Sequence, residues 1–139
     1  VVRRNPTVLV DAAHNPHGAS VLATALGEAF AFEYLIGVVS VMVDKDVAGV
    51  LAAMQEVFHE VVVTHNGTSR AMPTAELAAL ASEIFGADRV HTAPDVSAAL
   101  ERATAIATDA GTAGVGIVVT GSVATAAAGR AAAGLGSAP

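Results

Sequence analysis

The sequence predicts a three-layer α/β fold in which a mostly parallel sheet is flanked by helices. Two observations predict it: strand-like apolar runs alternate with helical patterns along the whole chain, and the longest runs are apolar at almost every position. Strands that alternate with helices form parallel sheets through right-handed crossovers. A strand that is apolar on both sides needs helices on both faces of its sheet.

The first strand and helix are predicted from Thr7–Asp11 and the segment after it. Val8-Leu9-Val10 is an apolar run that ends on an acid, Asp11. Asn15 suits an N-cap, and Pro16 suits the first helical position because its missing N–H would be unpaired there in any case. The helix is predicted to run to about Phe32. Helical spacing gives it a buried face of Val21, Leu22, Ala25, Leu26 and Ala29.

The remaining elements follow from the same patterns. The predicted strands are Tyr34–Val43, Glu60–Thr64 with His65-Asn66-Gly67 as its turn, Asp88–His91 and Gly116–Thr120. Asp46 and Asp95 are predicted N-caps. The predicted helices run from Asp46 with Val47, Val50, Leu51, Met54 and Val57 on one face, from Thr74 to Phe85-Gly86, from Asp95 to about Ala110, and from Val123 to about Ala132. The loops are Ser69–Pro73 and Gly111–Gly114, and the Gly/Ala-rich tail 133–139 is expected to fray.

Composition narrows the class of protein. The 139 residues favour one domain, and 53% apolar with only 14% charged residues is too apolar for disorder. No apolar stretch reaches the ~20 residues of a membrane span, and no secretory leader is visible. The lack of cysteine excludes disulfides and thiolate metal sites and favours the cytoplasm. A net charge of −6 without a basic block argues against nucleic-acid binding.

The chain lacks the usual means of holding a triphosphate by itself. Lys45 is its only lysine, and no G-x-x-x-x-G-K-[ST] phosphate loop occurs. The sequence also opens on Val1-Val2-Arg3-Arg4 without an initiator methionine, which we interpret as a domain of a longer chain. Any nucleotide chemistry is therefore expected to need a second domain.

The joint between the first strand and helix is the leading candidate site. Ligands of open α/β sheets bind at the carboxyl ends of the strands, and helix N-termini attract anions. Asp11 could accept hydrogen bonds from ribose hydroxyls, or it could cap the next turn. His14 could offer a neutral or a charged ring to an anionic ligand, or it could bond only to local backbone. Asn15 is explained by its role as a cap, and Gly18 could permit close backbone approach.

Other polar residues allow weaker hypotheses. Asp11, His14 and His17 could form a metal triad, but the bend at Pro16 and the lack of a fourth ligand argue against it. Asp44-Lys45-Asp46 is better explained as a solvated turn with a helix cap than as a ligand contact. Ser122 could bind a ligand at the strand ends or act as an N-cap, and Arg70 is best read as a solvated loop residue.

Two other enzyme or signalling classes are disfavoured by what the sequence lacks. Neither Ser20 nor Ser122 lies in a G-x-S-x-G elbow, so a serine-hydrolase triad is unsupported. A phosphoacceptor receiver domain would share the length and fold class. The third strand, however, ends in Thr-His-Asn with no acid where such a domain needs one.

Asp11 to Gly18, D-A-A-H-N-P-H-G, resembles the D-G-A-H-N-P-x-G signature of folylpolyglutamate and dihydrofolate synthases, within the Mur ligase superfamily. The resemblance extends to D-K-D at Asp44–Asp46, S-R-A-x-P at Ser69–Pro73 and T-G-S at Thr120–Ser122. Ala12 replaces the commoner glycine, and smaller residues than usual follow Ser122. The D-K-D and R-A-x-P elements are more specific to the folate branch than A-H-N-P.

The resemblance implies a Rossmann-like C-terminal domain, residues 1–132, which closes as a lid over ATP bound mainly by an N-terminal ATPase domain. It implies that Asp11, His14 and Asn15 contact ATP, that His14 is catalytic, and that Ser122 and His14 contact L-glutamate. It gives this chain no metal ligands, because Mg²⁺ is held mainly by the other domain. A family arginine just upstream cannot be assigned to Arg3 or Arg4.

The implied reaction adds L-glutamate to a folate through an acyl phosphate, in a monomeric cytoplasmic enzyme that binds neither nucleic acid nor membrane. The substrate is tetrahydrofolate, dihydropteroate or both, and the isolated domain is expected to be inactive. Two alternatives stay open. One is the C-terminal domain of a cell-wall Mur peptide ligase, and the other is a free-standing, non-catalytic nucleotide-binding module.

Overall fold

Strands and helices alternate throughout the computed structural model, which describes residues 1, 6–29, 32–111 and 114–134. The strands are β1 (Thr7–Val10), β2 (Tyr34–Val39), β3 (Glu60–Val63), β4 (Val90–Thr92) and β5 (Val115–Thr120). The α-helices are α1 (Pro16–Ala29), α2 (Val47–Gln55), α3 (Thr74–Phe85), α4 (Val96–Asp109) and α5 (Val123–Ala132), and a 3₁₀ turn spans Ala87–Arg89.

The five strands form one sheet in the order β1-β5-β2-β3-β4, and every pair of neighbouring strands is parallel. One apolar core lies between the sheet and α1, α2 and α3, and a second lies between the sheet and α4 and α5. Alternate residues of β2 supply both cores: Leu35 and Val39 face the first, and Ile36 and Val38 face the second. The predicted three-layer fold is confirmed, including helices on both faces.

The order of the strands determines where a ligand can bind. β5 is the last strand in the chain, yet it lies between β1 and β2. The connection after β1 leads to α1 on one face, while the connection after β5 leads to α5 on the other face. Neighbouring strands whose connections diverge in this way leave a crevice at their carboxyl ends. The segments after β1 and β5 border this crevice.

Two predicted strand boundaries were wrong, and tertiary pairing explains the first of them. The predicted strand Tyr34–Val43 ends as β2 at Val39, because Val41 and Val43 pair instead with the 70–72 loop and Met42 forms an antiparallel bridge with Ala71. The predicted strand from Asp88 begins at Val90, after the 3₁₀ turn. The helix predicted to run to about Phe32 is described from Pro16 to Ala29, and its predicted end falls on residues 30–31, which lie outside the described part of the chain.

The buried face of α1 also differs from the prediction. Ala19 and Leu26 are buried and Leu22 packs against the same core, whereas Val21 is 55% exposed and Ala25 is exposed. Two neighbouring stripes of this alanine-rich helix are both apolar, so only its packing against α2 decides which one is buried. The side chain of Ala29 lies outside the described residues. For α2, the predicted buried residues Val47, Val50, Leu51 and Met54 are confirmed, and Val57 lies beyond the helix end.

At the amino ends of β2 and β3, polar side chains replace the apolar residues that otherwise face α4. The Tyr34 hydroxyl donates a hydrogen bond to Glu60, whose other oxygen lies 2.7 Å from His91 Nε2. The imidazole of His59 stacks on the Tyr34 ring at 4.6 Å. Burial raises the pKa of the Glu60 carboxyl, but the hydrogen bonds from Tyr34 and His91 outweigh it and hold that pKa below its ordinary value.

Burial and the hydrogen bond to Glu60 raise the pKa of the Tyr34 phenol to about 12. Because this exceeds the unfolded value of about 10, the protonated phenol stabilises the fold fully below about pH 10, and this contribution is lost as the pH rises toward about 12. We expect Tyr34→Phe to lower the free energy of unfolding by about 1 kcal/mol at about pH 9. Urea unfolding of both proteins across this range should show the difference shrinking, and parallel curves would contradict the prediction.

Candidate functional site

The loop after β1 carries the two residues that the sequence singled out most strongly. Asp11 follows Val10 directly, and its backbone N–H donates to the carbonyl of Val119 in β5 at 3.0 Å. The Asp11 carboxylate accepts one bond, from the N–H of Ala13 at 2.8 Å, and the residue stays partly exposed. The cap interpretation of Asp11 therefore holds for this one bond, and the carboxylate keeps capacity to accept further hydroxyl donors.

His14 lies on the same loop, partly exposed, with Nδ1 3.1 Å from the carbonyl oxygen of Ala12. A carbonyl can only accept, so Nδ1 carries the proton and the neutral ring leaves Nε2 as an acceptor. Protonation would turn Nε2 into a donor without disturbing the Nδ1 contact. This backbone bond orients the ring, and it leaves one nitrogen for proton transfer or for contact with an anion.

The start of α1 is built as the sequence predicts. The Asn15 side-chain oxygen accepts the N–H of Gly18 at 2.7 Å, and its backbone carbonyl accepts the N–H of Ala19 at 2.9 Å. A Cβ at Gly18 would lie 3.2 Å from that side-chain oxygen, so glycine leaves room for the cap. The amide of Asn15 is thus partly committed to α1, while the residue itself is exposed.

The turn after β5 is bonded directly to the Asp11–His14 loop. The N–H of Gly121 donates to the carbonyl of Ala13 at 3.1 Å. Gly121 has φ +123, and a Cβ there would lie 2.2 Å from the carbonyl oxygen of Ser40. Only glycine fits this close approach of the two strand ends.

Ser122 is buried, at 3% exposure, and its hydroxyl is fully used. The Thr125 hydroxyl donates its single hydrogen to the Ser40 carbonyl at 2.7 Å, so Ser122 must be the donor in its 2.8 Å contact with Thr125. The Ser122 oxygen also accepts the backbone N–H of Thr125 at 3.0 Å, which makes Ser122 the N-cap of α5.

Asn66 completes this cluster, although the sequence predicts it only as part of the turn after the third strand. Its side-chain amide donates to the Ser122 hydroxyl at 3.3 Å and to the Thr125 hydroxyl at 3.2 Å. Its backbone N–H donates to the Ser40 hydroxyl at 3.1 Å. Ser40, Asn66 and Ser122 follow β2, β3 and β5, so one residue, through its backbone N–H and its side chain, bonds the ends of three strands together. No local sequence signal marks this role, because Ser40, Ser122 and Thr125 lie 26 to 59 residues away.

The D-K-D and S-R-A motifs meet in space. Asp44 forms an ion pair with Arg70, and both side chains are largely exposed. The Asp46 carboxylate accepts the N–H of Gly49 at 3.1 Å, which confirms its role as the cap of α2. Arg70 is thus a solvated loop residue, as predicted, and it also pairs with Asp44.

Two clefts formed by described residues are lined by none of Asp11, His14, Asn15 and Ser122. A cleft of about 440 Å³ lies between the His65–Gly67 turn, the start of α4 and α5, and one of about 410 Å³ lies beside Tyr34 and Glu60. The described residues include no group of three or more histidine or acidic side chains that could hold a metal ion. Within those same ranges, none of the helices combines the length and apolarity required to span a bilayer.

Comparison with known proteins establishes the family. Residues 1–123 match the family described as "Mur ligase, glutamate ligase domain", and the chain belongs to this family. Among characterised proteins, it is 51% identical over 130 residues to the dihydrofolate synthase/folylpolyglutamate synthase of Mycobacterium tuberculosis. That match covers 87% of this chain and 27% of the relative.

Solved structures agree with this assignment. The M. tuberculosis folylpolyglutamate synthase complexed with ADP and AMPPCP matches with a TM-score of 0.92 and 51% identity, over 96% of this chain and 31% of that one. A bifunctional folylpolyglutamate synthase/dihydrofolate synthase with Mn, AMPPNP and L-glutamate bound matches with a TM-score of 0.74 and 27% identity, over 90% of this chain and 28% of that one. The chain thus spans about a third or less of the proteins that it resembles.

Proposed function

We propose that this chain is the C-terminal domain of an ATP-dependent ligase that adds L-glutamate to folates, by tetrahydrofolate polyglutamylation, by converting dihydropteroate to dihydrofolate, or both. The observation that carries the proposal is 51% identity to the M. tuberculosis synthase, over a domain whose β1 loop presents Asp11 and His14 partly exposed. This chain matches only 27% to 31% of the M. tuberculosis relatives, so ATP would be held mainly by an N-terminal ATPase domain, over which this chain closes.

In the proposed reaction, the γ-phosphoryl group of ATP passes to a folate carboxylate, which gives an acyl phosphate and ADP. The amine of glutamate attacks the acyl carbon, an amide bond forms and phosphate leaves. The ammonium of glutamate must lose a proton before it can attack. His14 Nε2 could accept that proton as a general base, or the protonated ring could contact the phosphate.

Asp11 and Asn15 are proposed to contact ATP, and Asp11 is suited to the ribose because its carboxylate retains free acceptor capacity. Ser122, with His14, is proposed to lie at the glutamate site. Since its hydroxyl is saturated, contact there would come from backbone N–H groups in the first turn of α5 other than that of Thr125, which Ser122 already accepts. The described residues include no group that could hold a metal ion by themselves, and the proposal that Mg²⁺ is held mainly by the other domain follows from the family resemblance.

Substrate choice tests the proposed function against the second candidate, a cell-wall Mur ligase. The complete enzyme should incorporate glutamate into a folate or dihydropteroate acceptor when ATP is present. It should not add an amino acid to UDP-muramoyl acceptors. Activity on UDP-muramoyl acceptors without activity on folates would favour the cell-wall Mur ligase hypothesis. A cytoplasmic, monomeric enzyme is part of the same proposal.

Replacing Asp11 with asparagine tests the nucleotide contact. Asparagine keeps an oxygen that can accept the Ala13 N–H. It replaces the second carboxylate oxygen, which would accept ribose hydroxyls, with an uncharged NH₂ donor. Charged hydrogen bonds contribute about 1.5–3 kcal/mol, so we expect KM for ATP to rise at least about tenfold while kcat changes less than about twofold. Steady-state kinetics with saturating folate and glutamate measure both constants.

His17→Ala is the matched control, because this exposed residue lies on the same segment and has no assigned role. Its kinetic constants should stay at the level of the unsubstituted enzyme. An unchanged KM for ATP in Asp11→Asn would remove Asp11 from the nucleotide site.

A further inference from the structure

We propose that Asn66 is a positioning residue for the ligase reaction: it holds the start of α5 and, through Gly121, the loop that carries Asp11 and His14. The expected effect on kcat rests on the proposed function. The expected effect on the hydrogen bonds of Asn66 depends only on contacts within this chain.

The side-chain amide of Asn66 makes hydrogen bonds through both its nitrogen and its oxygen. The nitrogen donates to the Ser122 and Thr125 hydroxyls, and the oxygen accepts the Thr68 N–H at 3.0 Å and hydroxyl at 2.7 Å. With Thr125 donating to Ser40 and Ser122 donating to Thr125, the Ser122 oxygen accepts the Thr125 N–H, the Thr125 oxygen accepts the Ser122 hydroxyl, and each accepts a second hydrogen from Asn66. A side chain at position 66 without N–H donors removes this second hydrogen bond from both oxygens.

The buried hydroxyls that Asn66 contacts are connected to the loop that carries Asp11 and His14. Ser122 and Thr125 are 3% and 0% exposed, so water cannot readily replace the missing donors. Ser122 is the N-cap of α5 and directly follows Gly121, whose N–H donates to the Ala13 carbonyl. A displacement of the start of α5 is therefore transmitted, by one hydrogen bond, to the segment between Asp11 and His14.

Asn66 is proposed to position the His14 loop, and not merely to stabilise the fold. Asn66 has no assigned contact with ATP, glutamate or folate, and it acts on His14 only through Gly121 and Ala13. A shift of about 1 Å in a catalytic group can cost about 100-fold in rate even when binding is retained. We therefore expect Asn66 variants to lower kcat by at least about tenfold, with a smaller change in KM for folate.

Two variants separate the donor function from the volume of the side chain. Asn66→Asp is nearly isosteric but places an ionised oxygen, which cannot donate, against the Ser122 and Thr125 hydroxyl oxygens, and protonation restores one O–H donor. Its kcat, divided by that of the unsubstituted enzyme, should rise as the pH falls toward about 5. Asn66→Ala should show a deficit that does not recover. Tyr34→Phe is the control for a general loss of stability, because it removes one hydrogen bond at the amino ends of the strands, opposite to the carboxyl ends where Asn66 lies.

Amide hydrogen exchange on this chain gives a readout that needs no activity. In Asn66→Asp, exchange at the Gly121 and Thr125 N–H groups should be at least about tenfold faster than in the unsubstituted chain, because local opening becomes easier. Exchange at Val62, in the centre of β3, should stay unchanged. Equal exchange at Gly121 in both proteins would overturn the proposal, whatever the kinetics show.

The kinetic arm can fail separately. Faster exchange at Gly121 with unchanged kcat, in an enzyme whose kcat does fall in His14→Ala, would reject the positioning role and leave the proposed function standing. A complete enzyme with no folate ligase activity would reject the proposed function and the positioning role together, while the exchange result would still test the structural link.

Discussion

Replacing His14 with alanine should lower kcat of the complete ligase by about 100-fold or more while KM for ATP changes little. General acid–base catalysis by a positioned histidine contributes about 10²–10⁴ in rate. The bond between Nδ1 and the Ala12 carbonyl leaves Nε2 as the reactive nitrogen. Initial rates at saturating ATP, folate and glutamate, with KM determined for each substrate, measure the expected effect.

His14→Gln is the informative companion variant. Glutamine preserves hydrogen-bonding capacity but cannot exchange a proton near neutral pH, so it should be nearly as slow as alanine if His14 acts as an acid or base. Recovery of most of the activity by glutamine would instead favour a hydrogen-bonding contact with phosphate. Wild-type kcat in both variants would exclude His14 from the chemistry.

Replacing Gly121 with alanine should be among the most damaging single changes to the fold. The residue has φ +123, where a side chain is strained by about 1–3 kcal/mol, and the added Cβ would lie 2.2 Å from the Ser40 carbonyl oxygen. Overpacking against backbone adds about 1–3 kcal/mol. We expect a loss of at least about 3 kcal/mol in the free energy of unfolding, measured by urea denaturation of the chain.

Gly27→Ala is the matched control for that substitution. Gly27 lies in α1, and an added Cβ would meet no atom within 4 Å. Alanine there should raise the free energy of unfolding by about 0.5–1 kcal/mol, because glycine is a poor residue in a helix interior. A loss below about 1 kcal/mol in Gly121→Ala would show that β5 and β2 can separate at their carboxyl ends without cost.

Much of the fold could be predicted because its signals are local. Asp46, Asp95 and Ser122 each precede a helix, and each caps it through a bond to the N–H three residues on. The apolar runs of β2 and β5 predicted strands covered on both faces, and both strands are almost entirely buried. These features depend on neighbours within four residues or on the overall pattern of hydrophobicity.

Boundaries and buried faces were less predictable because they depend on distant partners. Val41 to Val43 continue the apolar run of β2, but the sheet neighbours of β2 end level with Val39, and the 70–72 loop pairs with the rest. Val21 and Leu26 are equally apolar in the sequence, and only the packing of α1 buries one and exposes the other. The pairing of Arg70 with Asp44 likewise joins residues 26 positions apart.

The candidate site also has residues that local sequence predicts and one that only distant contacts reveal. Asp11, His14 and Asn15 were predicted from eight consecutive residues, and the structure keeps them together on one loop at the carboxyl end of β1. Their proposed contacts with ATP and glutamate remain predictions. Asn66 could not be predicted, since a turn asparagine has an adequate local explanation and its hydroxyl partners come from other strands.

By itself, the sequence determined the alternation of strands and helices, the caps and the loop that carries an acid and an imidazole, because these depend on short-range spacing and backbone geometry. Only the tertiary structure decided that β5 lies between β1 and β2, that Gly121 bonds the Ala13 carbonyl, and that Asn66 uses up the Ser122 hydroxyl. The physical reason is that strand order and side-chain saturation are set by contacts between segments far apart in the chain, and hydrogen-bond capacity can be counted only when every partner is in place.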